Sequence, residues 1–519
     1  MKDVIIGIDA GTSVIKSVAF DLNGRQIESH SIPNSYETLP GGGSVQDMSR
    51  TWSDTAETVR GLIQKLPDLA SRVAAISVTG QGDGTWLIDK NGEPSGPGWL
   101  WLDARAASLV NELRSSQEDE ARFNITATGL ASCQQGPQLK WMQQNDPDLL
   151  HRSKFAMHCK DWLYFKLTGR VGTDPSEGNF SFGDFRTRQY NDDVIEFFGL
   201  KKFKHLIPEM IDGAAEYDAL SPEASRQTGL LQGTPVTLGF VDVICTALGA
   251  GLYEENADIG CTVVGSTGMH MRLVPDPGAV ELNSARTGYT MQMPIPGVLA
   301  QMQSNMASTL NIDWLLDVAV DLLGSLGIEK SRPDLIPHID RWLAEAKPAS
   351  TIYQPYISEA GERGPFVDEN ARAGFTGLST KHRFGDLLRS VVEGIAFAGR
   401  DCYAAMGSTP SEIRVTGGAA RSEQLRTVFG AVLHSNIRTS SRKEAGAAGA
   451  AMIAAVAIGQ YPSMKACADD WVTPLLGDVE QPKPALTETY DAYFDSYLAA
   501  RAALSPVWSA MATSRGTSV

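Results

Sequence analysis

The 519-residue sequence is 42% hydrophobic and 20% charged, which suits two or three packed cores and excludes disordered, collagenous and fibrous chains. Its 45 basic and 61 acidic side chains leave a net charge of −16, a field that repels polyanions and argues against nucleic acid and anionic membrane as partners. Six cysteines, at 133, 159, 245, 261, 402 and 467, stand too far apart to form a close metal or redox pair, and a reducing cytoplasm is the expected compartment.

At the amino terminus, Asp3 interrupts what would have to be an unbroken apolar stretch in a secretory leader, so export is not expected. Val4, Ile5, Ile6 and Ile8, the turn Ala10-Gly11-Thr12-Ser13, Val14 to Asp21 and the turn Asn23-Gly24 predict a three-stranded meander. Apolar spacing predicts helices over 51–66 and 104–116 with a strand at 73–79 between them, an α/β alternation. A helical pattern with aromatic residues runs from Leu149 to Gly169, and 170–235, rich in turns and charge, reads as an insertion or cap. Ala247 to Asn256, with Gly249 and Gly251, reads as a helix end and crossing point, which places a boundary near 250–258. Ile259 to Leu273 again reads strand, Gly-Ser-Thr-Gly turn, strand, so similar hairpins open two halves, the mark of a duplication.

Farther on, Leu387, Leu388, Val391, Val392, Ile395 and Ala396 form a helical stripe, and Glu412 to Thr416 leads as a strand into Gly417-Gly418. Ala445 to Gly459 is the longest uncharged apolar stretch, short of the ~20 residues a membrane span needs, and its Ala and Gly content predicts a buried, closely packed helix. The tail from about 480 reads as helical and peripheral.

No Gly-Lys dipeptide occurs, so a P-loop is absent, and there is neither a His-Glu-x-x-His zinc motif nor a nucleophile elbow in a strand-turn-helix setting. The eight scattered histidines read as surface or core residues. The strongest local signal is Asp9-Ala10-Gly11-Thr12-Ser13 with Lys16 behind it. Small residues let backbone N–H groups approach a phosphate, Asp9 can hold a cation through water, and Lys16 supplies a point charge. Gly265-Ser266-Thr267-Gly268 has a similar make, and two such hairpins can clamp a polyphosphate between domains. Asp242, after the strand ending at Leu238, stands where α/β proteins place reactive acids, but it equally suits a helix N-cap. Gly417 and Gly418 let a flat ring lie on the main chain with Arg421 covering it, or form a plain strand-to-helix turn.

These four elements, in this order and spacing, resemble the FGGY carbohydrate kinases of the actin-like ATPase superfamily, over essentially residues 3–475. The family's carboxyl-terminal signature is met without a mismatch by Ala373-Gly374-Phe375-Thr376-Gly377-Leu378, then seven residues, Asp386-Leu387, and Ser390-Val391-Val392-Glu393. The resemblance implies an α/β protein with two actin-like (ribonuclease H-like) domains and a cleft between them. They would span residues 1–252 and 258–475, with a helical tail at 476–519. It further implies ATP as co-substrate with Mg2+, a homodimer, and roles for individual residues. Asp9 would carry the metal, and Gly11, Thr12, Ser13, Lys16, Gly265, Ser266 and Thr267 the phosphates. Gly417, Gly418 and Arg421 would lie at the adenine, and Asp242 would be the catalytic base. One departure, Gln138 where the family signature carries Lys, lies away from this chemistry.

The family's substrate pocket maps onto Thr79-Gly80-Gln81-Gly82-Asp83-Gly84 and Trp101-Leu102-Asp103-Ala104-Arg105, with Asp242. Glycerol kinases carry Arg-Glu, and xylulokinases Met-His, where this chain has Gly82-Asp83. Gly82 is expected to leave room, Asp83 to accept from two neighbouring hydroxyls, and Trp101 to offer an apolar face; Trp86 and Trp101 serve equally well as core residues. A carboxylate there disfavours sugar acids and sugar phosphates and leaves a small neutral polyol or ketose. The loops look most like those of erythritol kinases, with L-xylulose kinases, or kinases of other pentuloses and pentitols, as the alternative. An actin-like ATPase switch without a sugar pocket is the alternative of another class. A silent sugar-binding regulator would call for a basic DNA-binding module, which the composition does not offer.

Overall fold

The computed structural model describes residues 2–516; Met1 and residues 517–519, the outer ends of the expected first unit and tail, lie outside them. β1 (Val4–Ala10), β2 (Val14–Asp21) and β3 (Gln26–Pro33) form the predicted antiparallel meander. The helix α1 (Met48–Lys65) is capped by the Asp47 side chain, which accepts from Arg50 N–H, and it buries Trp52, Ala56, Val59 and Leu62 at helical spacing. β4 (Val73–Gly80) pairs in parallel with β1, and both strands are buried along nearly their whole length, as central strands covered on two faces must be. The sheet closes with β5 (Asp218–Ala219) at its edge and β6 (Pro235–Leu238) between β5 and β4.

The second half repeats the plan. β7 (Ile259–Val264), β8 (Gly268–Val274), β9 (Tyr289–Gln292) and β10 (Leu299–Asn305) pair antiparallel, whereas β11 (Glu412–Thr416) and β12 (Asn436–Thr439) continue in parallel from β7. The order β3-β2-β1-β4-β6 in one sheet is matched by β10-β8-β7-β11-β12 in the other, the topology of the expected actin-like halves.

Four helices govern the interior. α2 (Pro175–Phe182) lies in the expected insertion, and every one of its residues is buried. α3 (Asp242–Ala250) follows β6, and α4 (Phe384–Ala404) carries the predicted apolar stripe. α5 (Ala445–Ala457) follows β12, and although it belongs by sequence to the second half it packs on α3, β1 and β4 of the first. Its small residues allow this approach: a Cβ on Gly449 would collide with the Cys245 carbonyl of α3.

Two expectations are corrected. The 149–169 pattern divides into helices Pro147–Arg152 and Cys159–Thr168 around a strand, Phe155–Met157, which pairs with Trp86–Ile88. The tail helix α6 (Pro484–Gly516) is not peripheral, because Tyr490 and Tyr497 are fully buried and the Tyr490 hydroxyl donates to Glu393 at 2.7 Å. All six cysteines are free and buried, and among the described residues no helix is long and apolar enough to cross a membrane.

Candidate active site

A cleft of about 860 Å³ opens between the halves, lined by Asp9, Lys16, Thr246, Gly417, Arg421, Arg426 and the run Thr439 to Gly446. Lys16, Arg421, Arg426, Arg442 and Lys443 outnumber Asp9 and Glu444 in that lining, so an anion meets local positive charge despite the net charge of −16. Gly417 (φ 97°) holds a conformation that favours glycine, and a Cβ there would strike the Val264 carbonyl. Gly418 and Arg421 beside it are exposed.

The hairpins reach this lining through Asp9 and Lys16 but not through their turns, Gly11 to Ser13 and Gly265 to Gly268. In the first, Gly11 N–H donates to the Val14 carbonyl at 3.1 Å, and Ser13 is exposed. Thr12 is already committed, its hydroxyl donating to Gln81 Oε1 at 2.9 Å and accepting from Trp101 Nε1 at 2.8 Å. Its single hydroxyl hydrogen therefore ties the hairpin to the 79–84 loop, and only its backbone N–H is free to meet a phosphate. In the second hairpin, the Gly265 and Ser266 carbonyls accept from Thr309 N–H at 2.9 Å and Ser308 N–H at 2.8 Å, and Ser266 and Thr267 are exposed.

Asp242 is the first helical residue of α3, not its cap, since the N-cap is Val241. Its Oδ1 accepts from Val243 N–H at 2.7 Å. Burial, then the negative charges of Asp9 and Glu177, push its carboxyl up to about 8. Asp9, at the end of β1, is pushed up to about 6 by burial, with Lys16 opposing and Glu444 adding to the shift. The carboxylate oxygens of Asp9 and Asp242 are hard donors of the type Mg2+ takes, and their charges act on each other. Elsewhere His158, Asp161 and Glu177 bring ligand-type atoms together, but the Lys160 ammonium lies 2.9 Å from Asp161 and 2.6 Å from Glu177, a cation already in place.

The substrate loop needs the most revision. The space a side chain on Gly82 would take is filled by Val241 and Glu177, so Gly82 permits close packing and does not leave room for a ligand. Gln81 is buried and bridges Thr12 to Gln46, its Nε2 donating to Gln46 Oε1 at 2.7 Å. Asp103 and Arg105 pair with each other at 2.6 Å. Asp103 also accepts from Ser44 N–H at 2.8 Å, and Arg105 stacks 3.2 Å over Trp99, so both are spent on an internal clamp. Trp86 is fully buried core, whereas Trp101 is only partly covered. Asp83 has φ 56°, and its Oδ2 accepts from the Tyr289 hydroxyl at 2.9 Å and from Cys133 Sγ. Its Oδ1 is buried and has no protein partner, and burial raises the carboxyl above its ordinary range.

Sequence reasoning missed Tyr289, Glu177, Lys160, Thr246, Arg426 and the Ser440–Gly446 segment. For the last, a signal was available: it leads from β12 into α5 as Gly239–Asp242 leads from β6 into α3.

The chain matches the FGGY family of carbohydrate kinases, N-terminal domain, over residues 4–249 and the C-terminal domain of the same family over residues 260–458. It is 55% identical over 513 residues to an erythritol kinase of Brucella abortus (strain 2308), covering 99% of this chain and 98% of the other. A xylulose kinase of Lactococcus lactis is 26% identical, with 89% of each chain covered. The fold matches a crystal structure of ligand-bound xylulose kinase from Lactobacillus acidophilus with a TM-score of 0.87, at 21% identity over 98% of this chain and 99% of that one. Plasmodium falciparum glycerol kinase with ADP matches with a TM-score of 0.83, at 17% identity over 96% and 98%. With both family domains matched in sequence order along one chain, the protein belongs to the FGGY family of carbohydrate kinases.

Proposed function

We propose that the protein transfers the γ-phosphoryl group of ATP to a hydroxyl of a small neutral polyol, erythritol first among them. The observation that carries this reading is Asp83: one carboxylate oxygen is fixed by Tyr289 and Cys133, and the other is buried without a partner. A hydroxyl-bearing neutral ligand satisfies that oxygen, whereas an anion would be repelled. The likeness to the Brucella erythritol kinase supports the four-carbon polyol over L-xylulose.

In this reading Lys16 offsets phosphate charge, Arg421 covers the adenine and Asp242 accepts the proton of the attacking hydroxyl, while in-line geometry does most of the rest. Asp9 would hold Mg2+, with Glu444 beside it, and the ion would supply charge neutralisation on the phosphates. Backbone N–H groups of Thr12 and Ser13, in the turn that Gly11 shapes with its own N–H held by Val14, and the hydroxyls of Ser266 and Thr267, are proposed to meet the polyphosphate as the halves close. Gly417 and Gly418 are proposed to lie against the adenine. The division of labour expected from the resemblance, substrate and base in 1–252, second hairpin and adenine site in 258–475, is retained, except that α6 of the tail is built into the second core. The cytoplasm, and a homodimer, complete the proposal.

A coupled ADP assay over tetritols, pentitols and ketopentoses tests it. Strict dependence on erythritol supports the reading, faster turnover with L-xylulose replaces the substrate, and polyol-independent hydrolysis replaces the kinase with an ATPase switch.

A further inference from the structure

We propose that Glu177 is a positioning residue for phosphoryl transfer. Carried on helix α2 and held by Lys160, it fixes the substrate carboxylate Asp83, while its neighbour Ser176 ties the segment leading to Asp242 into the same buried frame. The inference rests on the polyol kinase reading above and deepens it.

Two consecutive residues of α2 reach the two reacting loops. Glu177 Oε1 accepts from the Asp83 backbone N–H at 2.7 Å, which holds Asp83 at φ 56°, a left-handed conformation that costs a non-glycine residue energy unless its surroundings impose it. Ser176 Oγ accepts from Val241 N–H at 3.1 Å, one residue before Asp242. Ser176 in turn donates to Asp174, the cap of α2. Glu177 and Val241 also fill the space that a side chain on Gly82 would take, so the substrate loop, α2 and the base loop are in mutual contact.

The frame is charged and closed. Lys160 Nζ lies 2.6 Å from Glu177, 2.6 Å from Asp174 and 2.9 Å from Asp161, and all four side chains are fully buried. His158 closes the cluster, its Nδ1 lying 2.9 Å from Asp161 and 3.4 Å from Glu177. A buried ionic network of this kind does little for net stability but fixes geometry, because any displaced member leaves an uncompensated charge. The next residues of α2 reach the second half of the protein: Asn179 Oδ1 accepts from Gln292 Nε2 at 3.1 Å, and Phe180 meets Tyr289 edge-on at 5.3 Å. Tyr289 is the residue whose hydroxyl holds Asp83.

The test is steady-state kinetics on full-length Glu177→Leu, Glu177→Gln, Asp83→Asn and Glu177→Leu/Asp83→Asn, with binding of a non-hydrolysable ATP analogue as the check on folding. Wild type must first show erythritol-dependent ADP formation; its absence would remove the underlying reading, not this inference. Glu177→Leu should raise the erythritol KM by about 10-fold or more and lower kcat, with the ATP KM within about twofold. Glu177→Gln keeps an acceptor oxygen for Asp83 N–H and should recover most of the loss. In the Asp83→Asn background, Glu177→Leu should add less than about twofold to the erythritol KM, since both act on the contact between Asp83 and the substrate. An erythritol KM within about twofold of wild type in Glu177→Leu, or KM losses that multiply in the double variant, overturn the proposal. If Glu177→Leu does not fold, Glu177→Asp keeps a negative charge beside Lys160 while drawing the acceptor back from Asp83 N–H, and carries the same comparison.

Discussion

Lys16 Nζ lies 3.0 Å from Glu444 Oε2, an ion pair between residues 428 positions apart that joins β2 to the segment entering α5. Both residues line the cleft, so a bound polyphosphate competes with Glu444 for the same ammonium. Partly exposed pairs of this kind contribute roughly 0.2–1 kcal/mol. Glu444→Gln should therefore tighten binding of a metal-free ATP analogue by about two- to fivefold, measured calorimetrically. Weaker binding would assign Glu444 to the ligand itself.

Asp242→Asn should keep the affinity for the ATP analogue and lose turnover with erythritol by about 10²- to 10⁴-fold, the usual worth of a general base. Near wild-type turnover would leave Asp242 with only its bond to Val243 N–H.

The pH dependence follows from the same residue. A carboxyl pushed up to about 8 carries its proton below that pH and can accept one only above it. The erythritol kcat/KM should therefore fall as pH drops below about 8. Because Asp9's negative charge contributes to the shift, Asp9→Asn should move this acid limb to lower pH in whatever activity remains. A flat profile between about pH 6 and 9 would count against Asp242 as the base.

Tyr289→Phe removes the hydroxyl that fixes Asp83 Oδ2 and leaves the ring against Phe180 in place. The erythritol KM should rise about 3- to 10-fold, as loss of one buried hydrogen bond predicts, with ATP binding unchanged. If the ATP KM rises equally, Tyr289 serves the contact between the halves and not the substrate loop.

Gly449→Ala forces a Cβ into the Cys245 carbonyl where α5 crosses α3. Backbone cannot yield there as a flexible side chain does, and a loss of about 3 kcal/mol or more in urea unfolding is expected. A loss below about 0.5 kcal/mol would mean that the two helices slide apart freely.

What could be read from sequence divides along physical lines. β1 to β3, the strand Glu412–Thr416 and α4 were legible because β-branched runs and helical stripes are local signals. The family signature at 373–393 was also legible, and its contacts are structural: Gly374–Thr376 pairs with Ile352–Gln354, and Glu393 is held by Arg389 and Tyr490. Glu177 and Tyr289 were not legible, because each acts through a partner, Asp83, that lies 94 or 206 positions away. Asp103 and Arg105 misled for the opposite reason: polar residues next to a substrate loop have the same composition whether they meet a ligand or only each other. The apolar tail pattern gave no depth, and only the burial of Tyr490 and Tyr497 shows that α6 is core.

The matching strand orders of the two halves mean that α3 and α5 occupy the same architectural position, each beginning just after the last parallel strand of its sheet. Equivalent helix starts thus carry two different occupations. In the first half it presents Asp242, a carboxylate with a raised proton affinity, and in the second it presents Glu444, a carboxylate that holds an ammonium. Asp9 senses the charge of Lys16 and Glu444, and Asp242 senses the charge of Asp9. The pair of crossed helices is therefore both the joint between the halves and the place where two architecturally equivalent starts present different charges.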